Sequence, residues 1–153
     1  PDRIILGEVR GDEALDMLQA MNTGHEGSFA TIHANNPRDA VMRLENMVSM
    51  AGPQLGVRAA RQQIASAITV VLQLNRLTDG TRRLVSVQEI TGMEGDIITM
   101  QEIFGLRRLG VAHDGKVRTQ FFATGICPQF DHRLKEFGVG VPDSIYDPMQ
   151  VFE

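Results

Sequence analysis

The sequence predicts an α/β protein: a parallel strand–helix–strand unit, two further helices, and then an antiparallel β-meander. Three observations carry this. Two short apolar runs, Ile4-Ile5-Leu6 and Phe29 to His33, flank a helical pattern within about 30 residues, the spacing of a βαβ unit. From Thr69 the apolar period changes from helical to a two-residue alternation. Asp79-Gly80, Glu94-Gly95 and Asp114-Gly115 then punctuate the alternating region as hairpin turns do.

Each element has its own justification. Arg3 to Val9 reads as a buried strand, being short, β-branched and not alternating. Gly11-Asp12-Glu13 starts a helix with both acids in its first turn, where the macrodipole favours them. Ala14, Leu15, Leu18 and Met21 form its apolar stripe, and Asn22-Thr23-Gly24 ends it. Gly27-Ser28 leads into the second strand, and a parallel pair requires a right-handed crossover. Asn36-Pro37 caps and opens the next helix, lined by Ala40, Leu44, Met47 and Val48 and closed by Ala51-Gly52-Pro53. Val57 to Ile68 is a third helix, with Arg58 and Arg61 three apart on one face. Strands are expected over Thr69–Leu77, Arg82–Thr91, Asp96–Gly105 and Lys116–Ala123. A last helix is expected over Pro128–Phe137, followed by a tail that packs loosely after Pro142. No internal repeat or low-complexity linker divides the 153 residues, so one compact unit with parts 1–68 and 69–153 is expected.

Composition bounds the function classes. A 42% hydrophobic and 22% charged chain is that of a soluble globular protein. Ala67 to Leu74, the longest nearly apolar run, is too short to span a bilayer. A net charge of −4 argues against a nucleic-acid surface, which needs a clustered excess of Lys and Arg. The single cysteine, Cys127, excludes an internal disulfide and a cysteine-built zinc site and fits a reducing compartment.

The candidate chemistry gathers at the strand ends. Glu8 stands at the C-terminal end of a parallel strand, where open α/β sheets bind ligands. There it can deprotonate a water or hold Mg²⁺ through water; a solvated acid in a strand-to-helix turn is the plain alternative. His33, at the end of its strand, can donate to a terminal phosphate, although a lone histidine is more often structural. A zinc hydrolase built on His25 and His33 is disfavoured, because their spacing is not the one-turn spacing of helical ligands. Arg10, two residues past Glu8, is the arginine placed to partner an acid or a phosphate. Gly110 to Val117 nearly matches a phosphate-binding loop, but Val117 replaces the hydroxyl residue and the context is a hairpin.

The stretch from Pro1 to Val48 resembles the secretion ATPases of type II and type IV systems, most closely the CpaF branch that powers tight-adherence and Flp-type pili. Gly7 to Gly11 matches the Walker B element of that family; Thr23 to Ser28 and Thr31 to Asn35 match its histidine box. Similarity continues through Arg61–Ile68, Asp79–Asp96 and Thr124–Pro142. The resemblance implies part of a RecA-like P-loop NTPase domain that uses ATP and Mg²⁺. It also implies a homo-hexamer, cytoplasmic and peripheral to the inner membrane, docked on platform proteins and not on nucleic acid. Gly7, Glu8 and His33 would face the nucleotide. Glu8 would activate water, His33 would sense the γ-phosphate, and His25 and Arg10 would support them. The phosphate-cradling loop of the family lies upstream of its Walker B element and has no counterpart in these residues. The expectation is therefore a C-terminal part of a longer ATPase, inactive alone, with a non-catalytic docking module working through Arg58, Arg61 and the meander as the alternative.

Overall fold

The computed structural model describes residues 1–52 and 54–152; Pro53, expected to help close the second helix, lies outside them. The chain forms two compact units, one of Pro1–Thr69 with Ile90–Thr99 and one of Val70–Glu89 with the residues from Met100 onward.

In the first unit, strands β1 (Ile5–Leu6) and β2 (Phe29–Ala30) pair in parallel, Ile5 opposite Phe29 and Leu6 opposite Ala30. Helix α1 (Glu13–Asn22) connects them, as the βαβ spacing requires. The ladder is shorter than the apolar runs because the chain turns at Gly7-Glu8. One further rung, from the Val9 amide to the Thr31 carbonyl at 2.8 Å, holds the diverging ends together. Helix α2 (Pro37–Ala51) begins as expected: Asn36 is extended and its side chain accepts from the Asp39 amide at 2.9 Å. Helix α3 (Val57–Ala67) packs with α1 and α2. Their stripes meet in a core of Ala14, Leu18, Val48, Ala60 and Ile64, all fully buried. Each large side chain there contributes about 1.5–3 kcal/mol of transfer free energy.

The second unit is built on an antiparallel sheet in the order β3-β4-β5-β6-β7. Its strands are β3 (Val70–Arg76), β4 (Arg82–Glu94), β5 (Ile97–Val111), β6 (Val117–Ala123) and β7 (Val151–Phe152). The joined ends of β4 and β5, Ile90–Thr99, belong to the first unit. Strand β5 runs six residues beyond its expected end at Gly105. There a Cβ would lie 2.9 Å from the ring of Phe122, its cross-strand partner, so this glycine sits under an aromatic ring and continues the strand. The near-match to a phosphate loop is the β5–β6 hairpin: Ala112 accepts from the Gly115 amide and its own amide donates to Lys116. Lys116 pairs with Asp114 at 3.2 Å.

The tail is not loose. A 3-10 turn over Asp143–Tyr146 buries Tyr146, whose hydroxyl donates to Asp131 at 3.0 Å. Phe152 of β7 joins Phe104 and Phe121 in an aromatic cluster with centroid spacings near 6 Å. The last helix, α4 (Asp131–Glu136), is shorter than its amphipathic pattern. Its start is held by a buried acid, Glu89, which accepts from the Gln129 and Phe130 amides at 3.0 Å and from Gln101 at 2.7 Å.

Candidate functional site

Glu8 lies just past the C-terminal end of β1, in the turn that leads to α1. The local sequence shapes this turn in two ways. The Gly7 carbonyl accepts from the Thr31 hydroxyl, which fixes the chain on one side of Glu8. On the other side, Glu13 folds back so that its Oε1 accepts from the Arg10 amide at 2.6 Å and the Gly11 amide at 3.2 Å. Those donated hydrogen bonds, Arg10's first, hold the Glu13 carboxyl below its ordinary value.

Between these anchors the Glu8 carboxylate is 22% exposed and is shared by two partners. Arg10 Nη2 approaches Oε2 at 2.5 Å, and His33 Nε2 approaches Oε1 at 3.3 Å. The Arg10 hydrogen bond is the largest cause of a lowered Glu8 pKa. Partial desolvation opposes it, and the charges of Arg10, His33 and Arg43 of α2 add to the lowering. The result is a carboxylate kept ionised, with one oxygen tied to a guanidinium and the other turned toward an exposed imidazole.

The structure thus brings Glu8, Arg10 and His33 together, with Gly7 beside them, its Cα face open. It does not bring His25 there, which corrects the expectation that His25 supports the same site. β1 and β2 are parallel, so His25, before β2, and His33, after it, stand at opposite ends of the pair. His25 instead bonds through Nδ1 to the Pro1 carbonyl at 2.7 Å. Its own carbonyl accepts from the Ser28 hydroxyl, which in turn accepts from the Ile4 amide at 2.8 Å. Gly27 completes this turn at φ +80°, and a Cβ there would meet the Arg3 side chain at 2.9 Å. The first half of the motif therefore aligns the strand starts.

Sequence reasoning missed Thr31 and Glu13 as shaping residues. The signal for Glu13 was its spacing, three residues past Arg10, which suits a side chain reaching back to a backbone amide. Among the described residues, no group of three His, Cys, Asp or Glu side chains is placed to hold a metal ion. The helix starts next to the site are closed by their own side chains. Glu13 takes the amides before α1, and the Asn36 side-chain oxygen takes the Asp39 amide of α2 while its NH₂ donates to the Asp39 carboxylate. A phosphate cradle, which needs free amides at such a start, is not formed by either.

The parallel βαβ unit thus sets an ionised acid and an imidazole at the strand ends, where open α/β sheets bind ligands. The model of the type II/IV secretion system protein family matches residues 1–116, and the chain belongs to that family. It is similar to a putative conjugal transfer protein of Mycobacterium tuberculosis, 43% identical over 97 residues, which are 63% of this chain and 27% of that one. The conjugal transfer protein TrbB of Rhizobium radiobacter is 40% identical over 95 residues, 62% of this chain and 27% of its own. Among solved structures it is similar to the VirB11 ATPase of the Brucella suis type IV secretion system, crystallised with sulphate. The TM-score is 0.53 at 34% identity, covering 57% of this chain and 27% of that one. The chain thus spans about a quarter of the length of these relatives.

Proposed function

We propose that this chain carries the hydrolysis side of a secretion ATPase, and that the side gripping the nucleotide phosphates is supplied by the rest of the parent protein. The observation that carries this reading is the Glu8 carboxylate at the end of a parallel strand, bridged to Arg10 and His33. Bound ATP·Mg²⁺ would supply the transferable phosphoryl group and the charge that neutralises it. The residues fit one part of that group. Glu8 can face a metal-bound water, and His33, 81% exposed, can reach a terminal phosphate oxygen. They do not fit its β-phosphate, since the amides at the helix starts beside the site are already taken by the Glu13 and Asn36 side chains.

In this reading Glu8 is the general base. Arg10 keeps it ionised at neutral pH and occupies Oε2, which leaves Oε1 to take the proton of a water. His33, 3.3 Å from that oxygen, orients it and reports on the group beyond. Arg10 positions Glu8, and His25 holds the strand starts in register. The parent would be a CpaF-like motor ATPase of a pilus or secretion system, working as a homo-hexamer on the cytoplasmic side of the inner membrane against platform proteins. The docking-module alternative loses one of its residues: Arg61 is engaged within the chain, by Glu45 at 2.9 Å and the Asp96 carbonyl at 2.8 Å.

ATP titration of the 153-residue chain and of the full-length parent tests the division of labour. Micromolar binding by the parent and none by the chain is expected. Micromolar binding by the chain alone would overturn it.

A further inference from the structure

The chain is acidic overall, yet its arginines are unevenly placed. The pairing registers set Asn75 opposite Arg83 and Arg76 opposite Arg82 on β3 and β4, and Arg107, Arg108 and Arg118 near the β5–β6 hairpin. The two hairpin turns lie side by side, because the Asp79 carboxylate accepts from the Val117 amide at 2.8 Å. All these arginines therefore occupy one end of one sheet, and all are exposed.

Little offsets them. The segments 74–83 and 107–118 hold six arginines and Lys116 against only Asp79 and Asp114. Asp79 accepts from Thr81 and Val117 with the Arg83 charge nearby, and Asp114 pairs with Lys116. None of the six arginines has an ion pair among the described residues. Arg76 faces Arg82 directly across the ladder, a like-charge pair that costs stability unless an external anion offsets it. Exposed aliphatic side chains stand among these charges: Leu74 at 63%, Leu109 at 53% and Val111 at 55% exposed.

We propose that this arginine-rich end of the sheet is a docking surface for an anionic phospholipid bilayer, the cations meeting the headgroups and Leu74, Leu109 and Val111 entering the interface. Basic and aliphatic side chains interleaved around two neighbouring hairpin ends suit a membrane. A single-stranded nucleic acid would call for exposed aromatic faces, and the Phe122 ring beside these arginines is covered by the Arg107 guanidinium 4.9 Å above it. The proposal deepens the peripheral membrane location of the functional reading by assigning it a surface. Its test needs no ATP hydrolysis, so the two can fail separately.

The test is co-sedimentation of the 153-residue chain with phosphatidylcholine vesicles, with and without about a third of phosphatidylglycerol. Binding is expected only to the anionic vesicles, falling as salt is raised. Each arginine removed should weaken partitioning about fivefold, so Arg82→Gln with Arg83→Gln should weaken it about 25-fold. Arg108→Gln should weaken binding where the charge-matched Arg38→Gln does not; circular dichroism confirms that each variant is folded. Equal binding to neutral vesicles, equal loss with Arg38→Gln, or full binding by the double variant would overturn the proposal. So would binding of a single-stranded oligonucleotide through these arginines with no binding to vesicles.

Discussion

Replacing Glu89 separates a buried anchor from an incidental acid. Its carboxylate is 2% exposed, with Oε2 accepting from Gln101 Nε2 and the Gln129 amide and Oε1 accepting from the Phe130 amide. Glu89→Gln keeps the shape but turns one acceptor into a donor. In the better of its two orientations the new NH₂ faces the Phe130 amide, so that bond is lost and a donor opposes a donor. A hydrogen bond to a charged group is worth about 1.5–3 kcal/mol, so a loss of about 2 kcal/mol is expected. Glu89→Ala forfeits all three bonds and leaves two backbone amides without their acceptor, for about 4 kcal/mol, near the top of the single-substitution range. Urea unfolding followed by far-ultraviolet circular dichroism reads this directly. At a slope of about 2 kcal/mol/M, the glutamine variant should unfold about 1 M earlier and the alanine variant about 2 M earlier. Midpoints within about 0.3 M of wild type for both would refute the anchor.

Other expectations test the site and its support. In the full-length enzyme, Arg10→Ala removes the main cause of Glu8's lowered pKa, so Glu8 should titrate at higher pH. The acidic limb of the kcat/KM profile should move upward, and an unmoved limb would show that Arg10 does not tune this acid. Asp79 is held down to about 2 from 3.8 by Thr81 and Val117, so it stabilises the fold above 3.8 and loses that contribution as pH falls toward 2. Asp79→Asn should be less stable at neutral pH and show a shallower acid decline; identical pH–stability curves would contradict this. Leu18→Ala, in the fully buried contact of α1 with α2 and α3, should cost about 3 kcal/mol, measured by thermal or urea unfolding, and a cost below about 1 would mean the site closes over the cavity.

Local chemistry made much of the fold legible. Asn36-Pro37 marked the start of α2 because cap and first-turn preferences are properties of those residues alone. The Asp-Gly pairs marked the hairpins for the same reason. What escaped was decided by partners distant in sequence. Strand β5 passes through Gly105 because Phe122 covers it. The tail orders because Tyr146 finds Asp131 and Phe152 finds Phe104 and Phe121. At the site, an acid at the end of a parallel strand and an imidazole at the end of its neighbour were readable, because strand ends of a parallel pair lie together. His25 was misplaced because a motif is contiguous in sequence while its two halves sit at opposite ends of β2.

The central claim is that Glu8 moves a proton and does not merely complete an ion pair with Arg10. Its most direct test is Glu8→Gln in the full-length parent, with ATP affinity and turnover measured on the same preparation. Nearly unchanged affinity and a fall in kcat of about 10²–10⁴, the share of a general base, are expected. Turnover near the wild-type value with intact binding would contradict it.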